Sequence, residues 1–319
     1  MHRLVIVTPA LARANNGNWQ TAQRWSRMLR NHYRVRLVPA WDAGDDDAMI
    51  ALHARRSAPS IAAWRQAHPT RPLVVVLTGT DLYGDIGHDA QAQASLALAD
   101  RLVVLQPLGP RSVPDPWRAK VDVVIQSSPP RRPLAKPTRH LRVLMVGHLR
   151  SEKSPETYFA AARRLAHRAD IRLDHIGGPL DPALAEGARA CMADCPHYRW
   201  LGALPHAATR RRIQQAHVLV HPSRLEGGAH VVIEAVTSGT PVLVSRIDGN
   251  LGLVGDDYAG SFDWGDDAAL AALLQRCRDE PAMLAKLQAQ CAARAPLFAP
   301  DHERALLHAL MHRLLETAP

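Results

Sequence analysis

HVLVHPSRLEGGAHVVIEAVTSGTPVLVS, residues 217–245, predicts a strand at HVLVHPS (217–223), a turn at SRLEGG and a helix over AHVVIEAVTSG. A second strand, TPVLVS (240–245), follows. The Gly-Gly pair of the turn permits close backbone approach and φ values closed to other residues. Gly239 ends the helix. Two strands joined through a helix form a βαβ unit, which sets them parallel in one sheet. The same stretch carries Glu226 and Glu234, eight positions apart. Glu234 is surrounded by Val231, Val232, Ile233, Ala235 and Val236. A carboxylate buried alone costs several kcal/mol, so a partner is expected. The plainer alternative makes Glu226 a charge near the helix start and Glu234 a solvated helix residue.

The pattern extends in both directions. Earlier strands are read at LVIVTP (4–9), YRVRLVPA (33–40), LVVVLTG (73–79), RLVVLQP (101–107) and VDVVIQS (121–127). A helix is expected from Trp19 to Arg30, and the acidic run Asp45, Asp46, Asp47 reads as a loop and helix start. Near-continuous Val, Ile and Leu runs suit strands covered on both faces of a parallel sheet. SSPPRRPLAKPTRH (127–140) holds four prolines and five basic residues, counting His140, and reads as a linker. Strands then resume at LRVLMVGHL (141–149), IRLDHIG (171–177) and YRWLG (198–202). The expected fold is α/β, with two doubly wound domains facing each other across a cleft. Their expected spans are 1–135 and 136–300, with a helix at 301–319 able to cross back to the N-terminal domain. Ligands of such sheets bind at the carboxyl ends of the strands.

A chain of 319 residues has room for two domains, and 47% hydrophobic with 22% charged residues suits a globular protein. No run of 18 apolar residues occurs, so no stable membrane insertion is expected. MHRLVIVTPA enters a strand-like run directly, without a signal-peptide core, and a cytoplasmic location is expected. Of the four cysteines, Cys191 and Cys195 could share a helix face near His197; without a second ligand pair, inert thiols are the better reading. The net charge of +9 accompanies only 5% aromatic residues and no helix-turn-helix pattern. Small phosphorylated ligands therefore fit better than nucleic acid. A non-catalytic nucleic-acid binder is the competing class, and it predicts affinity falling steeply with salt.

VLMVGHLRSEKSPETYFAAARRLA (143–166) concentrates the basic chemistry. A strand ends at Gly147, and the loop after it carries His148, Arg150 and Lys153. Ser154 reads as a helix N-cap and Pro155 as the first helical residue. Cations beside a helix N-terminus favour phosphate. A solvated basic loop is the alternative.

PSxxEGG with E-x7-E, and the GxxRxxK turn, resemble the nucleotide-sugar-dependent glycosyltransferases of the GT-B fold across essentially the whole chain. With GNWQTAQRW (17–25), LTGTDLYGDI (77–86), SLALADRLVVLQPLG (95–109), YRWLGALPH (198–206) and SRIDGNLGLVGDDYAG (245–260), the chain is similar to the selenosugar synthase family of selenoneine biosynthesis. The resemblance implies that Arg150 and Lys153 bind a donor pyrophosphate, with Gly147 and His148 beside them. His148 stands where many relatives carry Arg. Glu226 is implied at the donor hexose, Glu234 at the ribose hydroxyls, Gly227 and Gly228 as amides to phosphate, and Gly249 and Asn250 in a donor-side loop. Gly17 and Asn18 are implied over the reacting centre. Thr80 and Asp81 either face the acceptor or form an ordinary Asp-capped turn. The implied reaction joins selenophosphate to the anomeric carbon of a UDP-hexose, UDP-glucose or UDP-N-acetylglucosamine, with release of UDP and phosphate. No cofactor and no metal is implied. A hydroxyl acceptor is the alternative, and oligomeric state is open.

Overall fold

Leu4 and Ile6 point to one face of the first strand and Val5 and Val7 to the other, and all four are fully buried. That alternation inside an unbroken apolar run is what a strand covered on both faces requires. The computed structural model describes residues 1–9 and 17–316. Two compact units are present: Met1–Ser127 with Glu226–Gly228 and Pro300–Pro319, and Ser128–Leu225 with Ala229–Ala299. Every strand pairing among the described residues is parallel.

In the first unit the strands are β1 (Arg3–Val7), β2 (Arg34–Val38), β3 (Ala48–Leu52), β4 (Leu73–Leu77), β5 (Arg101–Val104) and β6 (Val121–Val123). They lie in the order β2-β1-β3-β4-β5-β6, and Leu4 pairs with Val35 on one side and Ala48 on the other. Strand β3 corrects the expectation of a helix after the acidic run. AMIAL has only Ile50 as a β-branched residue, so its local preference is weak. Pairing with β1 and β4 and burial of all five residues decide the matter. Asp45 and Asp46 form ion pairs instead: Asp45 with Arg3 at 2.7 Å and Arg71 at 2.9 Å, Asp46 with the Arg36 Nε at 2.9 Å.

The helices Gly17–Leu29 and Pro300–Glu316 cover one face, packing Ala22, Trp25, Leu307, Leu310 and Met311 onto Leu4, Ile6 and Ile50. Glu303 lies fully buried between them. Its carboxylate accepts from Arg24 Nε at 2.9 Å, Trp25 Nε1 at 2.7 Å and the Ser127 amide at 2.8 Å. The other face holds Ile61, Trp64, Leu96 and Val113.

The second unit contains β7 (Leu141–Val146), β8 (Ile171–Ile176), β9 (Tyr198–Trp200), β10 (Val218–His221), β11 (Val242–Ser245) and β12 (Ser261–Phe262). Their order is β12-β11-β10-β7-β8-β9. Residues 127–137 form no helix or strand, as four prolines dictate. The segment is held by Arg131 N–H on the Thr237 carbonyl (2.9 Å) and by Arg210 Nη2 on the Pro129 carbonyl (3.1 Å). No helix among the described residues is long and apolar enough to cross a membrane.

Candidate functional site

From β7 the chain steps to β8 and β9 on one side, then crosses to β10 on the other. Loops leaving the carboxyl ends of β7 and β10 therefore diverge and open a crevice. The loop after β7 is Gly147–Ser154, so His148, Arg150 and Lys153 stand at this switch point.

That loop is braced from below. A Cβ on Gly177 would lie 1.8 Å from the Gly147 carbonyl oxygen, so only glycine admits the approach. His175, fully buried at the end of β8, contacts that carbonyl through Nε2 at 3.0 Å. A carbonyl only accepts, so Nε2 carries the proton and Nδ1 accepts from the Tyr198 hydroxyl at 3.1 Å. The Gly178 amide likewise donates to His148 Nδ1 at 2.9 Å, which leaves Nε2–H as the donor of a neutral ring. Burial, then the charges of Arg150 and Lys153, lower the His148 pKa and keep it neutral. The Lys153 stem packs on the bare face of Gly147, where a Cβ would sit 3.4 Å from Lys153 Cγ. Arg150 is exposed. The N-cap reading of Ser154 needs correction. Its φ is +46° and its side chain makes no cap bond; the hydroxyl accepts from Trp264 Nε1 at 2.8 Å. The left-handed backbone turns it away from the helix amides, and Pro155 has no N–H to satisfy.

Glu234 lies in the helix His230–Val236 that follows β10, and it is 5% exposed. It has the partners its apolar neighbours demanded. His206 Nε2 at 2.7 Å, Arg210 Nη1 at 3.3 Å and His230 Nδ1 at 3.6 Å all approach Oε1. Burial pushes this carboxyl up, but the His206 hydrogen bond and the charges of His230 and Arg210 outweigh it and hold the pKa below its ordinary value. Glu234 is thus ionised, with Oε1 engaged. His230 precedes it by one helical turn, a spacing legible in the sequence. His206 and Arg210 sit on another helix, His206–Gln215, and no local pattern announces them.

Two further expectations change. Gly249 and Asn250 are not in a turn but in the helix Asp248–Val254, both buried. Asn250 Nδ2 donates to the Ser245 carbonyl and hydroxyl, each at 3.0 Å, and so braces the end of β11. Asp81 is turned into the interior of the first unit. It is fully buried, with Oδ1 accepting from the Thr78 and Gly79 amides (2.8 and 3.0 Å) and Oδ2 from the Ala54 amide (2.8 Å). Of the two readings offered by the sequence, it is the Asp-capped turn.

Thr80 Oγ1 pairs with His53 Nε2 at 3.0 Å. His53 follows β3 with a φ of +73°, beside the β1/β3 reversal that is the first unit's own switch point. It escaped sequence reading because β3 did. A non-glycine residue in the left-handed region is held there only by its surroundings.

Gly17 and Asn18 open the helix Gly17–Leu29, and residues 10–16 lie outside the described residues. Glu226, Gly227 and Gly228 belong to the first unit. A Cβ on Gly227 would meet the Thr78 carbonyl carbon at 2.3 Å, and one on Gly228 would meet Leu105 Cβ at 2.8 Å, so close packing accounts for the pair. Cys191 and Cys195 are free and buried, and burial pushes the Cys191 thiol up to about 12.

Acid stability follows from the second unit's imidazoles. His217 resembles His175: Nδ1 accepts from the Arg142 amide at 2.9 Å and Nε2 meets the Pro137 carbonyl at 3.0 Å. Burial lowers both rings from 6.5 to about 4. Between those values the unfolded chain binds more protons than the folded one, so stability falls as pH drops through the window. Urea midpoints followed by tryptophan fluorescence are expected to fall between about pH 6.5 and 4, by up to about 3 kcal/mol per imidazole. A flat profile across that window contradicts the two neutral assignments.

Comparisons with known proteins agree with this architecture. Residues 128–297 match the family model described as glycosyl transferases group 1. D-inositol 3-phosphate glycosyltransferase of Streptomyces avermitilis is 32% identical over 184 residues, 54% of this chain and 39% of that protein. The chain thus spans about two fifths of the length of the curated relatives it matches. Sucrose-phosphate synthase from Thermosynechococcus elongatus superimposes with a TM-score of 0.80 at 18% identity, over 99% of this chain and 100% of that one. Anabaena HepE, solved with UDP and glucose, gives 0.76 at 13% identity over 98% and 100%. At these identities the likeness carries the fold.

Proposed function

Because the chain belongs to the glycosyl transferases group 1 family and has the fold of its GT-B neighbours, we propose that it is a UDP-sugar-dependent glycosyltransferase whose acceptor is selenophosphate. One observation supports the donor half above all. The loop after β7 presents a neutral N–H donor at His148 and the cations Arg150 and Lys153 at a strand-order reversal. Such a set suits a diphosphate. Ionised Glu234, held through Oε1, keeps Oε2 as an acceptor for ribose hydroxyls. On this reading Glu226 attends the hexose, Gly227 and Gly228 lend amides to the phosphates, and Gly17, Asn18 and Thr80 lie toward the acceptor.

In the proposed step a selenium lone pair of selenophosphate attacks the anomeric carbon. The bond from that carbon to the UDP oxygen breaks, and UDP leaves with the electron pair. Water then cleaves the P–Se bond, giving phosphate and the selenosugar. Arg150, Lys153 and His148 stabilise the charge that grows on UDP. A hydroxyl acceptor needs a general base, whereas an anionic selenium nucleophile does not. The protein's work is to orient two anions and neutralise them.

The selenium reading rests on the motif resemblance along residues 17–260. A hydroxyl acceptor is the second reading, favoured by the curated relatives, whose name specifies D-inositol 3-phosphate. Incubation with selenophosphate and either UDP-glucose or UDP-N-acetylglucosamine decides between them. The expected result is UDP release matched by a selenium-bearing hexose in the mass spectrum. UDP release that requires a hydroxyl acceptor and ignores selenophosphate overturns the selenium half and leaves the donor half standing.

A further inference from the structure

A second cavity of about 490 Å³ lies in the second unit, lined by Leu141 at the start of β7, His217 just before β10 and Gly239 just before β11. It therefore opens at the amino ends of the strands, opposite the crevice at their carboxyl ends. Its size falls in the range of small-molecule pockets. Leu134, Pro137, Leu141 and Leu284 supply apolar wall.

Two of its lining residues carry a buried polar atom without a partner, Lys136 at Nζ and His140 at Nδ1. The ammonium of Lys136 is a donor only. At His140, which is 4% exposed, Arg142 Nε donates to Nε2 at 3.2 Å. That nitrogen is an acceptor, so in the neutral ring the proton sits on Nδ1. Burial, with Arg172 and Arg142 next, lowers the His140 pKa and keeps the ring neutral. Both unpartnered atoms are thus donors that need an acceptor, and leaving them so is costly. No Asp or Glu is among the described lining residues. The nearby cation Arg278 is engaged by Asp170 and by the carbonyls of Thr138 and Arg139. Charge and hydrogen-bond type demand an anion, and the walls demand an apolar body.

We propose that this cavity is a second ligand site, for a small organic carboxylate whose oxygens take the Lys136 ammonium and the His140 Nδ1–H. It is independent of the sugar-transfer reading. Around Lys136, the rings of His140 and His217 are neutral and burial holds the Cys277 thiol up at about 12. Lys136 itself is lowered by burial to about 8, so it alone changes charge just above neutrality.

The test titrates the intact protein with benzoate, followed by ligand-observed NMR at about pH 7. Saturable binding is expected, weakened about tenfold or more in Lys136→Met, the loss of one charge-assisted hydrogen bond. A similar loss is expected in wild type at about pH 9.5, where the amine is deprotonated. Leu284→Trp, which fills the cavity, is expected to abolish binding. UDP affinity stays unchanged in both variants, and circular dichroism checks their fold. Absence of saturable binding by wild type overturns the site, as does benzoate affinity unaltered by Lys136→Met and Leu284→Trp. Inorganic phosphate binding as tightly as benzoate overturns the apolar half of the assignment.

Discussion

Lys153→Ala is expected to lower kcat/KM for sugar transfer by about 10²–10³-fold, the loss seen when one pre-placed donor to a developing anion is removed. The side chain is directed by a chain of contacts reaching into the sheet. The Gly147 carbonyl fixes the tautomer of His175, whose Nδ1 accepts from the Tyr198 hydroxyl, and His175 in turn holds that carbonyl in place. The bare α-carbon of Gly147 then forms the shelf on which the Lys153 stem lies. A stem held this way would lose little entropy on binding the proposed diphosphate. On the proposed reading, in which charge grows on UDP only as the bond breaks, the loss is expected mainly in kcat. Lys153→Arg is expected to recover little, since a planar fork replaces a compact point charge. Steady-state kinetics with saturating acceptor checks this; turnover unchanged in Lys153→Ala removes the residue from the pyrophosphate site.

Glu303→Ala is expected to destabilise the first unit by about 3–5 kcal/mol, the range for removing one partner of a buried ion pair. Glu303 is fully buried, and the Arg24 side chain it pairs with is only 16% exposed. Its removal takes the acceptor from the Arg24 guanidinium, the Trp25 indole N–H and the Ser127 amide together. It also weakens the hold of the helix Pro300–Glu316 on the helix Gly17–Leu29, leaving the contact of His308 Nε2 with the Met28 carbonyl and the apolar contacts of Leu307, Leu310 and Met311. Urea unfolding reports the change, with Trp25 lying beside the lesion. A shift below about 1 kcal/mol, the size of an ordinary surface pair, contradicts the role. Glu303→Gln is expected to lose less, because it keeps the shape and one acceptor.

Much of this protein is written locally. Runs such as LVIV and LVVVL are strands because their own residues suit burial on both faces, and each is a strand in the structure. Four prolines between 127 and 140 exclude regular structure whatever surrounds them. The loop GHLRSEKSP announces its chemistry in the same way: glycine, two cations and a helix start are neighbours in sequence and remain neighbours in space. Burial of Glu234 was legible too, from the valines and isoleucine beside it.

What tertiary structure alone decided involves partners far along the chain. AMIAL is a strand because β1 and β4 flank it, and five residues of mixed preference carry no such instruction. Asp81 caps its own turn through the Thr78 and Gly79 amides, but its burial also rests on the Ala54 amide, 27 residues away, which donates to its other oxygen. Asn250 was drawn into a helix and onto Ser245. The ionised state of Glu234 depends on His206 and Arg210 from another helix, and the neutral donor form of His148 depends on one amide of Gly178. Residue type and spacing set which groups exist and which face they take. Protonation, tautomer and freedom to meet a ligand are set by distance and burial, which arise only when separated segments pack together.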